Sequence, residues 1–516
     1  MKILNLIVKN VPYQENPTTI FNKLCNIKSS TLLLESADIN SKHNLRSLII
    51  IDSAIRIIAN NHYALLISLS KNGNNLLSLL DKKLPYTILN KKIKNGRKLF
   101  FPNTNQQKDE DSRLKSISIF DALRILTKLV CVPQGERESM LFGGLFSYDL
   151  INCSEKLPKV KHKHKCPNFC FYLSEILLLL DHQNKLAKLQ ASIFIPYKTE
   201  LIRIKERINI LYKLLLKKNY NLNSFFISKN KIKCSKKDSK YCNMINKMKK
   251  SIYEGDIFQV VISRKFYLPC IFPLNAYDNL KKNNPSPYMF FMKDQDFILF
   301  GSSPESSLKY NSSNRKIEIY PIAGSRPRGY KKNGKIDYDF DSRIELEMRT
   351  DKKEIAEHLM LVDLARNDLA KICKTGSRYV KDLMKVDKYS CIMHLVSRVI
   401  GVLKKNIDIF HAYRACMNMG TLSGAPKIKA MQLINLVEKY SRGSYGGSIG
   451  YFTSNGDLDT CIIIRSAYIE NNIATVQAGA GIVIDSNPKL EAEESRNKAK
   501  AVLKSIAFSN YAYRGF

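Results

Sequence analysis

The order of helix-like and strand-like segments after residue 250 restricts the fold of this chain more than any other feature. Residues 256–266 are rich in strand-forming side chains, and 297–310 holds two apolar runs around the turn 301–304. From 351 to 372 apolar residues instead recur at helical spacing, and Asp351 can cap the helix start. Strands and helices in this mixed order, with hairpin-like pairs, predict an α+β fold and not a doubly wound parallel sheet.

A last helix is predicted after Pro488, with Glu491, Glu493 and Glu494 in its first turn and an apolar run to residue 506. The first part of the chain has strand-like runs at 45–51, 141–148 and 171–180. The polar stretch 90–116 between them predicts a surface loop.

The Lys-, Asn- and Ser-rich segment 217–240 is typical of a linker or a long exposed connection. It separates two stretches of different character. We therefore predict an N-terminal region, 1–225, and a second region, 226–516.

The formal net charge of +37 makes nucleic-acid binding a function to consider. The excess is spread over Lys-rich stretches such as 228–250, and no helix-turn-helix, RNP or zinc-finger pattern is present. We interpret the charge as a solvated surface, with polyanion binding as the alternative. At 44% hydrophobic residues, the 516-residue chain can bury a sizeable core.

Targeting and metal signals are weak. The first residues contain no long apolar segment, and runs such as 176–180 are too short to cross a bilayer, so we expect a cytoplasmic protein with no membrane contact. His162, His164, Cys166 and Cys170 lie close enough in sequence to ligate a metal. Their Lys-rich surroundings would repel a cation, which favours a solvated loop.

Four segments carry candidate binding chemistry. Residues 320–329 form a strand-like run ending in a Gly-Ser turn with two arginines, which suits a small anion. The Gly-rich turns 443–447 and 479–481 offer further backbone donors. On the helix from Asp351, Glu354 and Glu357 could share a hard cation or could simply favour the helix dipole.

Two long motifs distinguish between these alternatives. Residues 354–368 read Glu-Ile-Ala-Glu-His-Leu-Met-Leu-Val-Asp-Leu-Ala-Arg-Asn-Asp, and 493–499 read Glu-Glu-Ser-Arg-Asn-Lys-Ala. Both resemble chorismate-utilising enzymes of the anthranilate synthase type. The resemblance implies the fold of the aminodeoxychorismate synthases, in which large packed antiparallel β-sheets are flanked by helices. It also implies that Glu357 and Glu494 ligate Mg²⁺.

The same resemblance implies roles in the reaction. Glu305 would protonate the departing C4 hydroxyl of chorismate, His394 would abstract the proton that expels pyruvate, and Thr421 would hydrogen-bond the substrate. Chorismate itself would contact eight residues, with Ser325 standing where the family commonly has threonine: Gly324, Ser325, Tyr445, Arg465, Gly479, Ala480, Gly481 and Lys498.

Two positions separate the members of this family. Aminodeoxychorismate synthases typically carry a nucleophilic lysine where this chain has Ala323, and isochorismate and salicylate synthases use a lysine base where it has Gln259. Ammonia is already a good nucleophile and needs neither. The resemblance therefore predicts a lyase that makes anthranilate and pyruvate, the first committed step of tryptophan biosynthesis, with aminodeoxychorismate synthase as the alternative.

Regulation and partners follow from the resemblance too. Ser36 in the N-terminal region and Pro287, Tyr288 and Met289 in the second match the two halves of a tryptophan-sensing site. The resemblance therefore predicts an N-terminal regulatory region that shares a feedback pocket with the second, catalytic region. The chain lacks an evident Gly-x-Cys-x-Gly nucleophile elbow. Ammonia would then come from a separate glutamine amidotransferase subunit, in a heterotetramer of two large and two small subunits without nucleic acid.

Overall fold

The computed structural model describes residues 4–36, 45–102, 109–132, 138–161, 164–217, 232–331, 333–389 and 392–510. The strands in these ranges are β1 (Asn5–Val11), β2 (Thr31–Glu35), β3 (Arg46–Asn60), β4 (Tyr63–Ser68), β5 (Leu89–Ile93), β6 (Gly96–Phe100), β7 (Leu141–Phe146), β8 (Phe169–Asp181), β9 (Leu186–Ile193), β10 (Lys233–Cys234), β11 (Gln259–Pro269), β12 (Tyr288–Lys293), β13 (Ile298–Ser303), β14 (Ser306–Asn311), β15 (Lys316–Ile319), β16 (Ile322–Pro327), β17 (Tyr379–Lys388), β18 (Ile392–Val402), β19 (Gly424–Ala425), β20 (Ser448–Thr453), β21 (Leu458–Ile462), β22 (Ser466–Glu470) and β23 (Ile473–Ile482).

The helices alternate with these strands along the chain. They are α1 (Pro17–Cys25), α2 (Lys71–Ser78), α3 (Glu110–Lys115), α4 (Asp121–Thr127), α5 (Lys198–Leu216), α6 (Asp238–Tyr253), α7 (Pro273–Asn283), α8 (Tyr338–Thr350), α9 (Lys352–Ile372), α10 (Ile409–Cys416), α11 (Lys427–Glu438) and α12 (Pro488–Asn510). Within the described ranges none of them is both long and apolar enough to cross a membrane.

Two antiparallel sheets share the long strands β3 and β8. One half of β3 pairs with β2 and the other half with β4, while β8 divides its pairing between β7 and β9. The β3–β8 ladder shifts register between Ile50 and Ile55, and such irregularities bend strands. This bend lets the same two strands enter both sheets.

The first sheet continues from β3 through β2, β12, β13, β22 and β23 to β11. The second continues from β8 through β7, β20, β21, β14 and β15 to β18, which also pairs with β16 and β17. Apolar side chains of β2, β12 and β13 meet those of β7, β20 and β21 in one buried cluster, so the sheets pack face to face. Helices α1, α5, α7 and α12 cover the outer face of the first sheet. The predicted α+β fold of packed antiparallel sheets with flanking helices is confirmed.

Both predicted helices of the second region are present. Asp351 caps α9 by accepting hydrogen bonds from the backbone N–H groups of Lys353 (2.9 Å) and Glu354 (3.1 Å). α12 begins at Pro488, with Glu491 in its first turn. These elements could be predicted because their capping and periodicity are local.

Three local predictions were wrong. The stretch 90–116 is not simply a loop, because β5 and β6 form a hairpin across the Lys94–Asn95 turn and α3 follows. β13 and β14 do not form a hairpin, because the chain crosses between them from the first sheet to the second. Gly479, Ala480 and Gly481 do not form a turn, since they are paired within β23.

The proposed division of the chain at residue 225 stays a prediction, because residues 218–231 lie outside the described ranges. Strands from the two sides of it are hydrogen-bonded to each other, β2 to β12 and β7 to β20. Segments from both regions therefore build each sheet.

Candidate active site

The metal-binding residues predicted from the sequence lie where β11, β23 and α9 meet. Gln259 Nε2 donates a hydrogen bond of 2.6 Å to Glu357 Oε1. A Cβ added to Gly481 would lie 2.9 Å from Gln259 Nε2 and 3.4 Å from Glu357 Oε1. A side chain at Gly481 would thus displace the Gln259 amide and touch the Glu357 carboxylate.

Carboxylates from α9 and α12 face one another here. Burial raises the pKa of Glu357, and the charge of Glu494 raises it further. Burial, followed by the charge of Glu494, raises the pKa of Glu491 to about 7. Burial also opposes ionisation of Glu494, but Lys498, with Nζ 2.6 Å from Glu494 Oε1, outweighs it and lowers the Glu494 pKa.

This donor set fits a hard divalent cation that keeps other ligands. Within the described ranges no group of three or more His, Cys, Asp or Glu side chains is placed to hold a metal alone. Mg²⁺ commonly takes one or two protein carboxylates and completes its octahedron with water and substrate oxygens. A cation between Glu357 and Glu494 would also relieve their mutual repulsion.

A buried histidine, His394, lies on β18 where this strand pairs with β16. Ser325 Oγ is 2.8 Å from His394 Nδ1, across the β16–β18 ladder. His394 is 2% exposed, and its Nε2 has no hydrogen-bond partner among the described residues. Burial, assisted by the positive charge of Arg465, lowers the His394 pKa to about 3. The imidazole is therefore neutral near pH 7, and with its proton on Nδ1 the Nε2 lone pair can accept a proton.

Gly324 shapes the backbone beside this histidine. It has a φ of +77° at the bulge between Ala323 and Ser325. A Cβ there would lie 2.6 Å from Glu354 Oε2, whose other carboxylate oxygen pairs with Arg326. A side chain at Gly324 would meet both backbone strain and the Glu354 carboxylate.

Glu305 and Arg465 lie on two adjacent chain crossings between the sheets. Glu305 joins β13 to β14, Arg465 joins β21 to β22, and the Ile462 N–H donates to the Glu305 carbonyl at 3.0 Å. Burial raises the pKa of the Glu305 carboxyl to about 8, although Thr421, Lys498 and Arg465 oppose this. Glu305 is thus protonated at neutral pH, as a general acid must be.

Thr421 and Glu305 line the same small cavity, together with residues of α9. The buried Thr421 hydroxyl lies close enough to the Glu305 carboxyl to oppose the rise of its pKa, but it makes no hydrogen bond of good geometry with any described residue. Burial lowers the pKa of the Arg465 guanidinium, and the charge of the Glu305 carboxyl opposes this shift. The Thr421 hydroxyl is available to a bound molecule.

Tyr445 and the Gly479 backbone form one wall close to Glu494. Tyr445 is 6% exposed and follows the turn at Gly443, which has a φ of +65°. Burial raises the Tyr445 pKa although Arg442 and the Gly479 backbone oppose it. Ala480 points its side chain away into the core beneath α6 and α11, so only its backbone can face this wall.

The two predicted tryptophan-sensing segments come together. β2 pairs with β12, placing Glu35 opposite Met289, and Ser36 Oγ donates a 3.0 Å hydrogen bond to the Pro287 carbonyl. Tyr288 Oη donates to Asp459 Oδ1 at 3.1 Å. Met289 is packed in the apolar core of the first sheet. The contact between these segments is a finding; their binding of tryptophan stays a prediction.

The His/Cys cluster is no metal site in the part of the chain that is described. His162 lies outside the described ranges. His164 Nδ1 accepts the Cys166 N–H at 2.9 Å, and its ring packs edge-on against Tyr468. Cys170 is buried in β8. The expectation of a solvated loop is wrong at His164, where burial lowers the pKa to about 3.

Sequence reasoning missed two contacts in this site: Gln259 holding Glu357, and Glu354 lying over Gly324. Both join elements more than 25 residues apart, so no local pattern signals them. Among the predicted site residues, Glu357 and Glu494 interact with each other, and Glu305 interacts with Thr421, Lys498 and Arg465.

Comparisons with known proteins identify the family of this chain. The family model described as chorismate binding enzyme matches residues 85–504. Anthranilate synthase component 1 of Buchnera aphidicola subsp. Pemphigus spyrothecae is 59% identical over 498 residues, covering 96% of each chain. The protein of that name from Escherichia coli (strain K12) is 56% identical over 513 residues, covering 99% of each.

Solved structures show the same fold. Anthranilate synthase component I from Streptococcus pneumoniae TIGR4 superposes with a TM-score of 0.67 at 26% identity, covering 90% of this chain and 93% of that one. The menaquinone-specific isochorismate synthase of Escherichia coli gives a TM-score of 0.68 at 17% identity, covering 98% and 94%. The chain therefore belongs to the chorismate-binding enzymes and, within them, to the anthranilate synthase component 1 proteins.

Proposed function

We propose that this protein converts chorismate and ammonia to anthranilate and pyruvate, the first committed step of tryptophan biosynthesis. The names of its full-length relatives support this activity. The observation that carries the proposal is a protonated Glu305 and a neutral His394 in a site whose discriminating positions, Ala323 and Gln259, hold no lysine. An acid and a base are both available, and the nucleophile comes from outside the chain.

Glu305 and His394 act in successive steps of the reaction. Glu305 donates its proton to the C4 hydroxyl of chorismate as ammonia adds at C2, which gives aminodeoxyisochorismate. His394 Nε2 then removes the C2 proton, pyruvate leaves, and the ring becomes aromatic. Ser325 holds the imidazole in place through Nδ1. Arg465 and Lys498 supply positive charge for the substrate's carboxylates.

Glu357 and Glu494 would hold Mg²⁺, which neutralises a substrate carboxylate when it is bound. The lowered pKa of Glu494 and the hydrogen bond from Gln259 to Glu357 support ionised ligands there. We further propose that a glutamine amidotransferase subunit supplies ammonia and that the assembly contains two large and two small subunits.

Anthranilate fluorescence tests the proposal. The protein alone, with chorismate, Mg²⁺ and an ammonium salt, should form anthranilate; glutamine should replace ammonium only when the amidotransferase is added. An aminodeoxychorismate product would assign the protein to the alternative activity.

Activity is expected to fall as the pH rises through about 8, because Glu305 then loses the proton it must donate. Glu305→Gln should lower kcat by about 10²–10⁴-fold, the usual contribution of a general acid, and should remove that alkaline limb. A pH–rate profile of both proteins checks this. A limb that persists in the variant would assign the titration to another group.

Stability supplies an independent check on Glu305. Because its folded pKa lies above the unfolded value, its proton stabilises the fold fully below about pH 4.5, and this contribution is lost as the pH rises through about 8. At pH 9 the wild-type protein therefore holds an ionised Glu305 carboxylate in a buried position. Glu305→Gln should therefore have the higher Tm at pH 9 if the carboxyl is as buried as described.

Feedback inhibition by tryptophan is proposed for a site at the contact between Ser36 and Pro287. Ser36→Phe should raise the tryptophan concentration for half-inhibition by at least about tenfold, because the ring replaces the hydroxyl that bonds Pro287. Initial rates measured over a tryptophan series test it. Unchanged sensitivity would remove Ser36 from the site.

A further inference from the structure

A buried hydrogen bond joins the two elements that carry Glu357 and His394. His358 follows Glu357 on α9, and Ser397 lies three residues after His394 on β18. His358 Nε2 is 2.6 Å from Ser397 Oγ, and both side chains are 0% exposed. The bond thus ties the helix with a proposed metal ligand directly to the strand with the proposed base.

Ser397 is also fixed from two other directions. Its Oγ accepts the Met384 N–H at 2.9 Å, and its own N–H donates to the Pro321 carbonyl at 3.1 Å. Met384 has a φ of +51° at an irregularity of the β17–β18 ladder. Pro321 precedes β16, which carries Gly324 and Ser325. Three strands and one helix therefore meet at this residue.

Packing alone does not require a polar pair here. The other buried side chains of α9 around this turn, Leu361, Val362 and Ala365, are apolar. A polar pair in a core can often be replaced by apolar groups of similar shape without loss of stability. The His358 Nδ1 moreover has no hydrogen-bond partner among the described residues, which is itself unfavourable.

A hydrogen bond, unlike an apolar contact, requires a particular distance and angle between its two groups. Apolar surfaces tolerate small sliding of a helix over a sheet, whereas a bond of 2.6 Å fixes both the rotation and the height of α9 at this turn. Glu357 is the adjacent residue, so its carboxylate is fixed relative to β18. A displacement of about 1 Å between reacting groups can cost about 10²-fold in rate.

We propose that His358 and Ser397 are positioning residues, whose hydrogen bond sets the distance between the Glu357 carboxylate and the His394 imidazole. The inference rests on the proposed function, because only there do these two groups act on one substrate. In this proposal His358 does not contact chorismate or Mg²⁺.

The test combines four variants with two kinetic readouts. Ser397→Ala and His358→Leu remove the bond, the double variant removes both partners, and His358→Gln keeps an amide nitrogen able to reach Ser397. We expect each single loss to raise the Mg²⁺ concentration for half-maximal rate about tenfold and to lower kcat about tenfold. The double variant should be no worse than either single one, and His358→Gln should recover most of the loss.

Asn72→Ala is the matched control. Asn72 is also 0% exposed and makes two buried hydrogen bonds, to the Ser192 carbonyl (2.8 Å) and from the Phe194 N–H (3.0 Å), but lies on α2 beside β3 and β4. It should lower Tm while leaving Mg²⁺ half-saturation and kcat unchanged well below that temperature.

If Ser397→Ala and His358→Leu behave like Asn72→Ala, the pair is only structural and the inference is overturned. If Ser397→Ala or His358→Leu fails to fold, His358→Gln still tests the inference. A Mg²⁺ half-saturation and kcat near the wild-type values in His358→Gln support it. Tenfold losses in a fully folded His358→Gln contradict it. A wild-type protein that makes no anthranilate would instead reject the proposed function, so the two failures are distinguishable.

Discussion

Glu357→Gln is expected to lower kcat/KM for chorismate by about 10³-fold at every Mg²⁺ concentration. The amide keeps the size of the side chain but removes the charge, and a metal ion's stabilisation of transition-state charge amounts to several kcal/mol. Steady-state kinetics over a Mg²⁺ series measure the effect. Tm should not fall, because burial raises the Glu357 pKa and the variant removes a carboxylate that is costly to ionise.

Asp363→Asn provides the control on the same helix. Its side chain is 68% exposed and, in the described part of the chain, pairs with Arg366, three residues later. Such a surface pair contributes little, so this variant should keep wild-type rates. Wild-type activity in Glu357→Gln would refute its role as a ligand.

His394→Ala should separate the two halves of the reaction. Loss of a general base lowers the rate of its step by about 10²–10⁴-fold. Anthranilate formation should fall by that factor, whereas chorismate consumption continues, because Glu305 and the ammonia addition do not need the imidazole. Aminodeoxyisochorismate should then accumulate, as measured by chromatography of quenched reactions.

His182→Ala is the control for removing a half-buried neutral imidazole. Tyr13 and Ser47 contact its two ring nitrogens at 2.8 and 2.7 Å, far along the chain from the proposed base. It should leave the ratio of intermediate to anthranilate unchanged. If His394→Ala consumes chorismate and forms anthranilate in equal amounts at the wild-type rate, the base is another group.

Local signals were sufficient for part of this structure. The capping Asp351 and the apolar spacing placed α9 within one residue, and Pro488 placed the start of α12. Their motifs also carry Glu357 and Glu494, whose role as metal ligands stays a prediction, because the resemblance rests on continuous segments.

Long-range pairing could not be predicted in the same way. The apolar runs of β13 and β14 look like a hairpin, yet the chain crosses between sheets at Pro304 and Glu305. Gly479 and Gly481 look like turn residues, yet β23 uses them for close approach to β11 and to Glu357. Burial of Glu305, and hence its raised pKa, depends on that crossing and on no local pattern.

Identifying the aminated product tests the account most directly. The purified protein should be incubated with chorismate, Mg²⁺ and isotopically labelled ammonium, without glutamine, and the product analysed by mass spectrometry and NMR. We predict labelled anthranilate, with nitrogen on the carbon next to the carboxylate, and one pyruvate for each anthranilate. Labelled nitrogen at the para position, or an unlabelled isochorismate, would contradict the assignment that rests on Ala323, Gln259, Glu305 and His394.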